Sequence, residues 1–432
     1  MTHIVNLIRQ RQFFALFVVQ FLGAFNDNLF KNALVILITY RLMKNSDSAL
    51  TITLAAGLFI LPFFLFSPWG GQLADRWDKV WLMRKIKLAE VLIMLLGSLA
   101  LFSGDIGFML AVLFLLGVQS AFFGPIKYSI LPEQVVSNQL MQANAWFSGS
   151  TFAAILLGTL LGGFLILGEQ GLIWVSSLMI SFALIGYAAS RQVDLNPHPL
   201  SDNVNHHTPQ GGIKAWWSPY KEVFKGFADG RGFIVVSISF FWFIGASLLS
   251  QFPVWVKDYL YADEQVAVLF MALFAFGFGL GAWIINWHLR GRTQLRYQPY
   301  LLALMALALA DALWATSGVS VPEQLLNWRE YLSQWPGNRV VFDLLWLAIL
   351  GGAYCVPLYT QLQRQVPDNQ RARAFALNNV MNALFMVLSA LAIMAGYMLG
   401  GDWLQLGAGL IVIMLGFAFW EKRWRQRINL LG

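Results

Sequence analysis

Gly70-Gly71-Gln72-Leu73-Ala74-Asp75-Arg76-Trp77-Asp78-Lys79, followed by Arg84-Lys85, joins two apolar stretches, 51–73 and 80–103. A helix crosses a hydrocarbon core about 30 Å thick in about 20 residues, and each stretch is long enough to do so. The glycines on the near side of the join let neighbouring helices approach closely. Asp75 falls at the membrane edge. There it can accept hydrogen bonds from the N-terminus of a neighbouring helix, whose dipole favours an anion. Two apolar helices around a basic turn predict an all-α polytopic membrane protein.

Working outward, the same pattern recurs along all 432 residues. The apolar stretches are 13–40, 51–73, 80–103, 106–131, 143–167, 171–190, 232–256, 265–288, 298–317, 340–363, 375–399 and 403–420, which makes twelve spans. Only 12% of the residues are charged, against about 25% in soluble domains. The first stretch is not a secretory signal: it is too long, it carries Asn26, Asp27 and Asn28, and no small-residue cleavage site follows. The single cysteine, Cys355, cannot form an internal disulfide, and no Cys/His cluster has metal-ligand spacing. The net charge of +7 reflects where lysines and arginines sit in a membrane protein, not a nucleic-acid partner.

Placing the N-terminus in the cytoplasm assigns twenty-two lysines and arginines to inside segments. They include the basic turn with Lys87, the 191–231 segment, and the tail from Lys422 to Arg427. Five fall outside: Arg41, Lys44, Lys257, Arg329 and Arg339. The positive-inside rule therefore predicts both termini in the cytoplasm and an even number of spans. The polar segment 191–231 divides the chain into 1–190 and 232–432, a six-helix bundle on each side. It reads as a linker around Pro197, Pro199 and the His206-His207 pair, with a surface helix around Trp216, Trp217, Tyr220, Lys221, Phe224 and Lys225. Gln134-Val135 and Asn138-Gln139 recur 231 residues on as Gln365-Val366 and Asn369-Gln370, and Tyr128 falls on Tyr359. Both copies close the fourth span of a half, as expected for two parallel repeats.

The costliest residues lie in the first span, in the run Gly23-Ala24-Phe25-Asn26-Asp27-Asn28-Leu29-Phe30-Lys31-Asn32-Ala33. Asp27 is fourteen residues past Phe13, about 21 Å into a helix, which is mid-bilayer. Asp27 and Lys31 are spaced to pair, and so are Asn28 and Asn32. Charges at this depth cost several kcal/mol unless they face protein or water, so they are functional candidates. The alternative is a structural ion pair that fixes helix packing. Lys127, in Gly124-Pro125-Ile126-Lys127-Tyr128-Ser129-Ile130-Leu131-Pro132-Glu133, either snorkels to the headgroups or meets a phosphate inside a cavity. Gln119 lies two turns deeper on the same helix. Gln361, Gln363 and Arg364 close the tenth span, and Asn378, Asn379 and Asn382 open the eleventh. Substrate binding, gating and helix adhesion all suit these residues. Asp311 reads as a satisfied buried carboxyl. Ala154, Gly158 and Gly162 form a small-residue ladder suited to packing.

The 70–79 join resembles the signature loop of the major facilitator superfamily, Gly-x-Leu-Ala-Asp-Arg-x-Gly-Arg-Lys, with Asp78 and Lys79 replacing the usual Gly-Arg. The resemblance implies the twelve-helix major facilitator fold and a gating latch at Gly71, Asp75, Arg76 and Lys79, and Gln361 and Arg364 join the gating candidates by their place at the end of the tenth span. The Phe25–Asn32 run, the 124–133 run and Ala376-x-Asn378-Asn379-x-x-Asn382-Ala383-Leu384-Phe385-Met386 resemble those of bacterial lysophospholipid transporters. The likeness extends to the transporter module that some bacteria fuse to a lysophospholipid acyltransferase and acyl-carrier-protein synthetase. It implies inward movement of lysophosphatidylethanolamine and related lysolipids across the inner membrane for reacylation, without an obligatory ion gradient. The implied partners are the lysophospholipid, membrane lipids and a cytoplasmic acyltransferase. Substrate contacts are expected from Asn26, Asp27, Asn28, Lys31, Asn32, Gln119, Lys127, Tyr128, Asn378, Asn379 and Asn382.

Two rivals remain. One is a proton-coupled drug or metabolite exporter with Asp27 as the carrier, which pairing with Lys31 would disfavour. The other is a scaffold or scramblase that docks an acyltransferase. No nucleophile–base set, metal site or phosphate-cradling loop marks an enzyme, and no cofactor is implied.

Overall fold

A computed structural model describes residues 7–42, 47–194, 221, 232–319, 321–322 and 324–429. Twelve of its helices are long and apolar enough to cross a membrane. In chain order they are α1 (Arg11–Leu37), α2 (Asp47–Arg76), α3 (Lys79–Ser103), α4 (Ile106–Gln134), α5 (Leu140–Ile166), α6 (Gly171–Ser190), α7 (Gly232–Val254), α8 (Glu264–Leu289), α9 (Gln298–Ser317), α10 (Trp335–Gln365), α11 (Arg371–Met398) and α12 (Trp403–Asn429). Helices dominate because lipid offers a peptide group no hydrogen-bond partner, so each span must satisfy its own backbone. Several run past the apolar stretches. α10 begins five residues before 340, and α12 continues through the basic tail. Hydropathy marks only the lipid-matched part of a helix, and its polar ends go on winding in water. The linker residues around His206-His207 and Trp216–Lys225 lie outside the described residues, apart from Lys221.

Side chains set the helix ends. Asp78 caps α3 by accepting from the Trp81 N–H at 2.5 Å, and Asp105 caps α4 from Phe108 at 2.8 Å. Gly104, with φ +68°, takes the left-handed turn between those helices. The repeat around 134 and 365 occupies matching places: Gln134 ends α4 and Gln365 ends α10, with Val135 and Val366 just beyond.

By contact the described chain forms two compact units. The first holds Met1–Ala143, Ala154–Val236 and Leu362–Ala383, and the second holds Asn144–Ala153, Ser237–Gln361 and Leu384–Gly432. Each unit therefore takes in a segment from the other half of the sequence. The small-residue ladder of α5 packs the first unit. A Cβ on Gly158 would stand 2.5 Å from the Phe25 carbonyl oxygen, and one on Gly162 would overlap that of Leu29. α1 and α5 thus touch backbone to backbone, directly beside the polar run. Gly162→Val should force them apart at a cost of about 1–3 kcal/mol. The measurement is thermal stability of the purified protein in detergent, and Gly409→Val, where a Cβ meets open space, should leave it unchanged.

Candidate functional site

The first unit gathers the polar run. On α1, residues Phe17, Phe21, Ala24, Asp27, Lys31 and Val35 are part-accessible at helical spacing, while most of their neighbours are buried. Asp27 and Lys31 thus interrupt an otherwise apolar stripe. They do not pair. Asp27 Oδ2 accepts from Ser120 Oγ of α4 at 2.6 Å, and Lys31 Nζ donates to Asn28 Oδ1 at 3.1 Å. Lys31 Nζ also lies 5.5 Å from the Phe59 ring centroid. A turn in the helix brings side chains i and i+4 near, but the hydroxyl across the helix interface and the amide one turn along take the two charges instead. Asn28 and Asn32 meet through backbone. Asn32 Nδ2 donates to the Asn28 carbonyl at 2.9 Å and to Thr159 Oγ1 of α5 at 3.1 Å, and Asn28 Nδ2 donates to the Ala24 carbonyl at 2.8 Å. Asp27 Oδ1 is buried with no hydrogen-bond partner. Such an atom costs about 1–3 kcal/mol, which a cationic or N–H donor from a ligand would offset.

Asn26 and Gln119 turn away from this stripe. Asn26 is fully buried, donating to the Met179 carbonyl at 3.1 Å and to Glu90 Oε1 at 3.5 Å. Gln119 Nε2 donates to Glu90 Oε2 at 2.9 Å. Their partner belongs to a buried ion pair, Lys87–Glu90 on α3, with both side chains at 0% exposure. The loop assignment of Lys87 is thereby corrected. It lies eight residues into α3, about 12 Å along the helix, because glycines make room for it. A Cβ on Gly23 would stand 3.1 Å from Lys87 Nζ, and one on Gly186 would stand 3.1 Å from Lys87 Cε. Removing Lys87 from the inside set leaves the positive-inside asymmetry intact. Sequence reasoning passed over Glu90. The signal was an i,i+3 Lys-Glu pair inside an apolar stretch, masked by the neighbouring Arg84-Lys85.

Lys127 is half-buried, with Nζ 5.0 Å from the Tyr128 ring centroid and no hydrogen bond or ion pair among the described residues. Tyr128 itself stacks on Phe375 of α11, with centroids 4.8 Å apart and planes at 13°. Gln363 Nε2 donates to the Tyr128 carbonyl at 3.0 Å, and Arg364 Nη2 donates to the Ser137 carbonyl at 2.6 Å. Gln361 belongs to the second unit, where Thr293 Oγ1 donates to its Oε1 at 2.7 Å. Asn378 is fully buried and Asn382 nearly so. Asn379 Nδ2 abuts Gly124, standing 2.4 Å from where a Cβ would be.

The basic turn is tied to the start of α11. Asp75 accepts from the backbone N–H groups of Ala372 and Arg373 at 3.0 and 3.2 Å, and from Arg373 Nε at 2.8 Å. The first N–H groups of a helix lack internal acceptors, so a carboxylate there satisfies them and meets the positive end of the dipole. Gly71 permits this approach, since a Cβ there would lie 2.6 Å from the Ala376 Cβ. Lys79 forms an ion pair with Glu133 at the end of α4. Arg76 is exposed and makes no hydrogen bond or ion pair among the described residues. In the second unit, Asp311 is indeed satisfied, by Arg339 Nε at 2.9 Å and by Nη2, but its side chain is 39% exposed rather than buried. Among the described residues no His, Cys, Asp and Glu group is arranged to hold a metal.

Twelve apolar helices, a carboxylate tied to a helix N-terminus at a basic turn and charges at mid-span define a membrane transporter fold. The chain belongs to the Major Facilitator Superfamily, whose family model matches residues 16–390. It is similar to "Lysophospholipid transporter LplT" of Serratia proteamaculans (strain 568), 27% identical over 376 residues, covering 86% of this chain and 84% of the relative. It is similar also to the protein of that name from Escherichia coli O157:H7 (strain EC4115 / EHEC), 25% identical over 422 residues, covering 95% and 96%. In fold it resembles a bacterial homologue of the iron transporter ferroportin, crystallised in an outward-facing state. The TM-score is 0.68 at 15% identity, over 95% of this chain and 97% of that one.

Asp75→Asn removes the charge from three hydrogen bonds at a side chain only 2% exposed, so it should loosen the tie by about 2–4 kcal/mol. The native thiol Cys355 is buried, which leaves a cysteine at Ala376 as the one to label. Maleimide labelling of Ala376→Cys should speed up several-fold when Asp75→Asn is added, and unchanged labelling contradicts the latch geometry.

Proposed function

We propose that this chain transports lysophospholipids, carrying lysophosphatidylethanolamine and related lysolipids inward across the bacterial inner membrane for reacylation. Both termini and the basic turn face the cytoplasm. The observation that carries the reading is Asp27: a mid-span carboxylate with one buried oxygen unpaired, on an apolar stripe one turn from Lys31. Similarity over most of the chain to relatives named for lysophospholipid transport supports it.

A lysolipid offers an ammonium, a phosphate and one acyl chain. Asp27 Oδ1 holds the ammonium. Lys31 or Lys127 takes the phosphate by charge-assisted hydrogen bonds. Phe17, Phe21 and Val35 of the same stripe receive the apolar part. Asn28, its amide fixed by the Ala24 carbonyl, holds Lys31, and Asn32 ties the same turn to Thr159. Asn26 and Gln119 act behind this face rather than on it. Asp75, Gly71 and the start of α11 form the cytoplasmic latch, with Lys79–Glu133 and Arg364 closing the same end. Alternating access, as in transporters built of parallel repeats, opens this end and carries the headgroup across. The acyltransferase that consumes the product is a separate cytoplasmic partner.

One observation favours a second reading. Asp27 is not paired with Lys31, so it is a carboxyl open to proton exchange, as a proton-coupled exporter requires. Uptake that survives a protonophore counts against that reading.

A charge-assisted hydrogen bond contributes about 1.5–3 kcal/mol, and about 1.4 kcal/mol is tenfold. Asp27→Asn should therefore cut lysophosphatidylethanolamine uptake into spheroplasts about tenfold or more at equal expression. Full uptake removes Asp27 from the headgroup site.

A further inference from the structure

Behind Asp27 the first unit holds a continuous polar chain. Lys87 Nζ donates to the Val19 carbonyl at 3.2 Å and pairs with Glu90. Glu90 Oε2 accepts from Gln119 Nε2 at 2.9 Å, and Gln119 Oε1 lies 3.1 Å from Ser120 Oγ. Ser120 Oγ lies 2.6 Å from Asp27 Oδ2. The chamber is built for the pair. Gly23 and Gly186 leave room for the Lys87 ammonium, and the Phe123 ring lies 5.5 Å from it. Asn26 reaches the second Glu90 oxygen.

The amide is the decisive link. The Glu90 carboxylate is acceptor-only, so it orders Gln119 with the NH₂ toward Glu90 and the oxygen toward Ser120. The Ser120 hydroxyl has a single proton, which it presents to the nearer, charged Asp27 oxygen at 2.6 Å and shares with the Gln119 oxygen at 3.1 Å. A side-chain amide hydrogen-bonds at both ends but does not pass a proton on. The chain therefore aligns groups and does not conduct. Two ions buried together are a costly way to fill space, since apolar residues of the same volume are often as stable. Orienting a third charge gives this pair a use.

We propose that Lys87, Glu90 and Gln119 are positioning residues that fix the Asp27 carboxylate through Ser120, with Oδ2 held and Oδ1 left for the substrate ammonium. This rests on Asp27 as the headgroup ligand. Gln119→Leu cuts the link and leaves the ion pair whole. Lys87→Met/Glu90→Met removes both charges together, so no ion is stranded, and carries the same expectations should Gln119→Leu not fold. Three readouts separate positioning from plain stability. Lysolipid uptake should show KM raised about tenfold with maximal rate within about twofold, the mark of lost binding. The effect should vanish in an Asp27→Asn background, as coupled residues require. Carbodiimide labelling of Asp27, followed by peptide mass in the purified protein without lysolipid, should change about threefold or more, as its exposure to the reagent follows its orientation.

A folded variant with unchanged labelling overturns the proposal, as does a KM effect that persists undiminished in Asp27→Asn. The labelling needs no transport. If the wild-type protein moves no lysolipid, the functional reading falls, and labelling still decides the positioning.

Discussion

An ion inside a bundle solvated by lipid must be matched, because no water is present to share its field. The first unit depends on that constraint. Lys87 and Glu90 neutralise each other at full burial. Asp75 is matched by a helix N-terminus and by Arg373. Even the Asp311–Arg339 pair of the second unit, part-exposed, follows the rule. Within the spans of this unit, Asp27, Lys31 and Lys127 form no ion pair among the described residues. Asp27 has a bare buried oxygen, Lys31 a neutral amide and a ring, and Lys127 only an aromatic face. In the proposed reading these are the charges that meet the zwitterionic headgroup.

The same constraint joins site to fold. α1 presents Asp27 and Lys31 because Gly158 and Gly162 bring α5 against its back, and Gly23 lets Lys87 close up behind it. Glycine serves all three contacts by taking no space. The Asp75 contact uses the device again, with Gly71 admitting the start of α11 so that Asp75 reaches its free N–H groups.

Much of this was legible beforehand. The spans, the basic turn and the small-residue ladder follow from residue type and period, which govern helices in lipid. Asp75 was placed at a helix N-terminus by its position at the membrane edge, though the sequence did not name α11. Partner choice inside the bundle was not legible. Asp27 and Lys31 sit at pairing distance along α1, yet Ser120, ninety-three residues on, and Asn28 take them. Sequence puts Asn26 beside Asp27 and Gln119 on the helix of Lys127, whereas in the fold both side chains bond Glu90. The basic neighbours of Lys87 hide its depth in the sequence, and its chamber is made by glycines of two other helices. These are matters of helix facing, which single-helix period leaves open.

The central claim is that the unmatched charges of the first unit carry a lysolipid headgroup. Its most direct test is the purified protein alone in liposomes, given labelled lysophosphatidylethanolamine beside a lysolipid lacking the amine and a free fatty acid. The account predicts protein-dependent movement of lysophosphatidylethanolamine, several-fold slower without the amine, and none of the fatty acid. Equal movement of all three, or none of lysophosphatidylethanolamine, would contradict it.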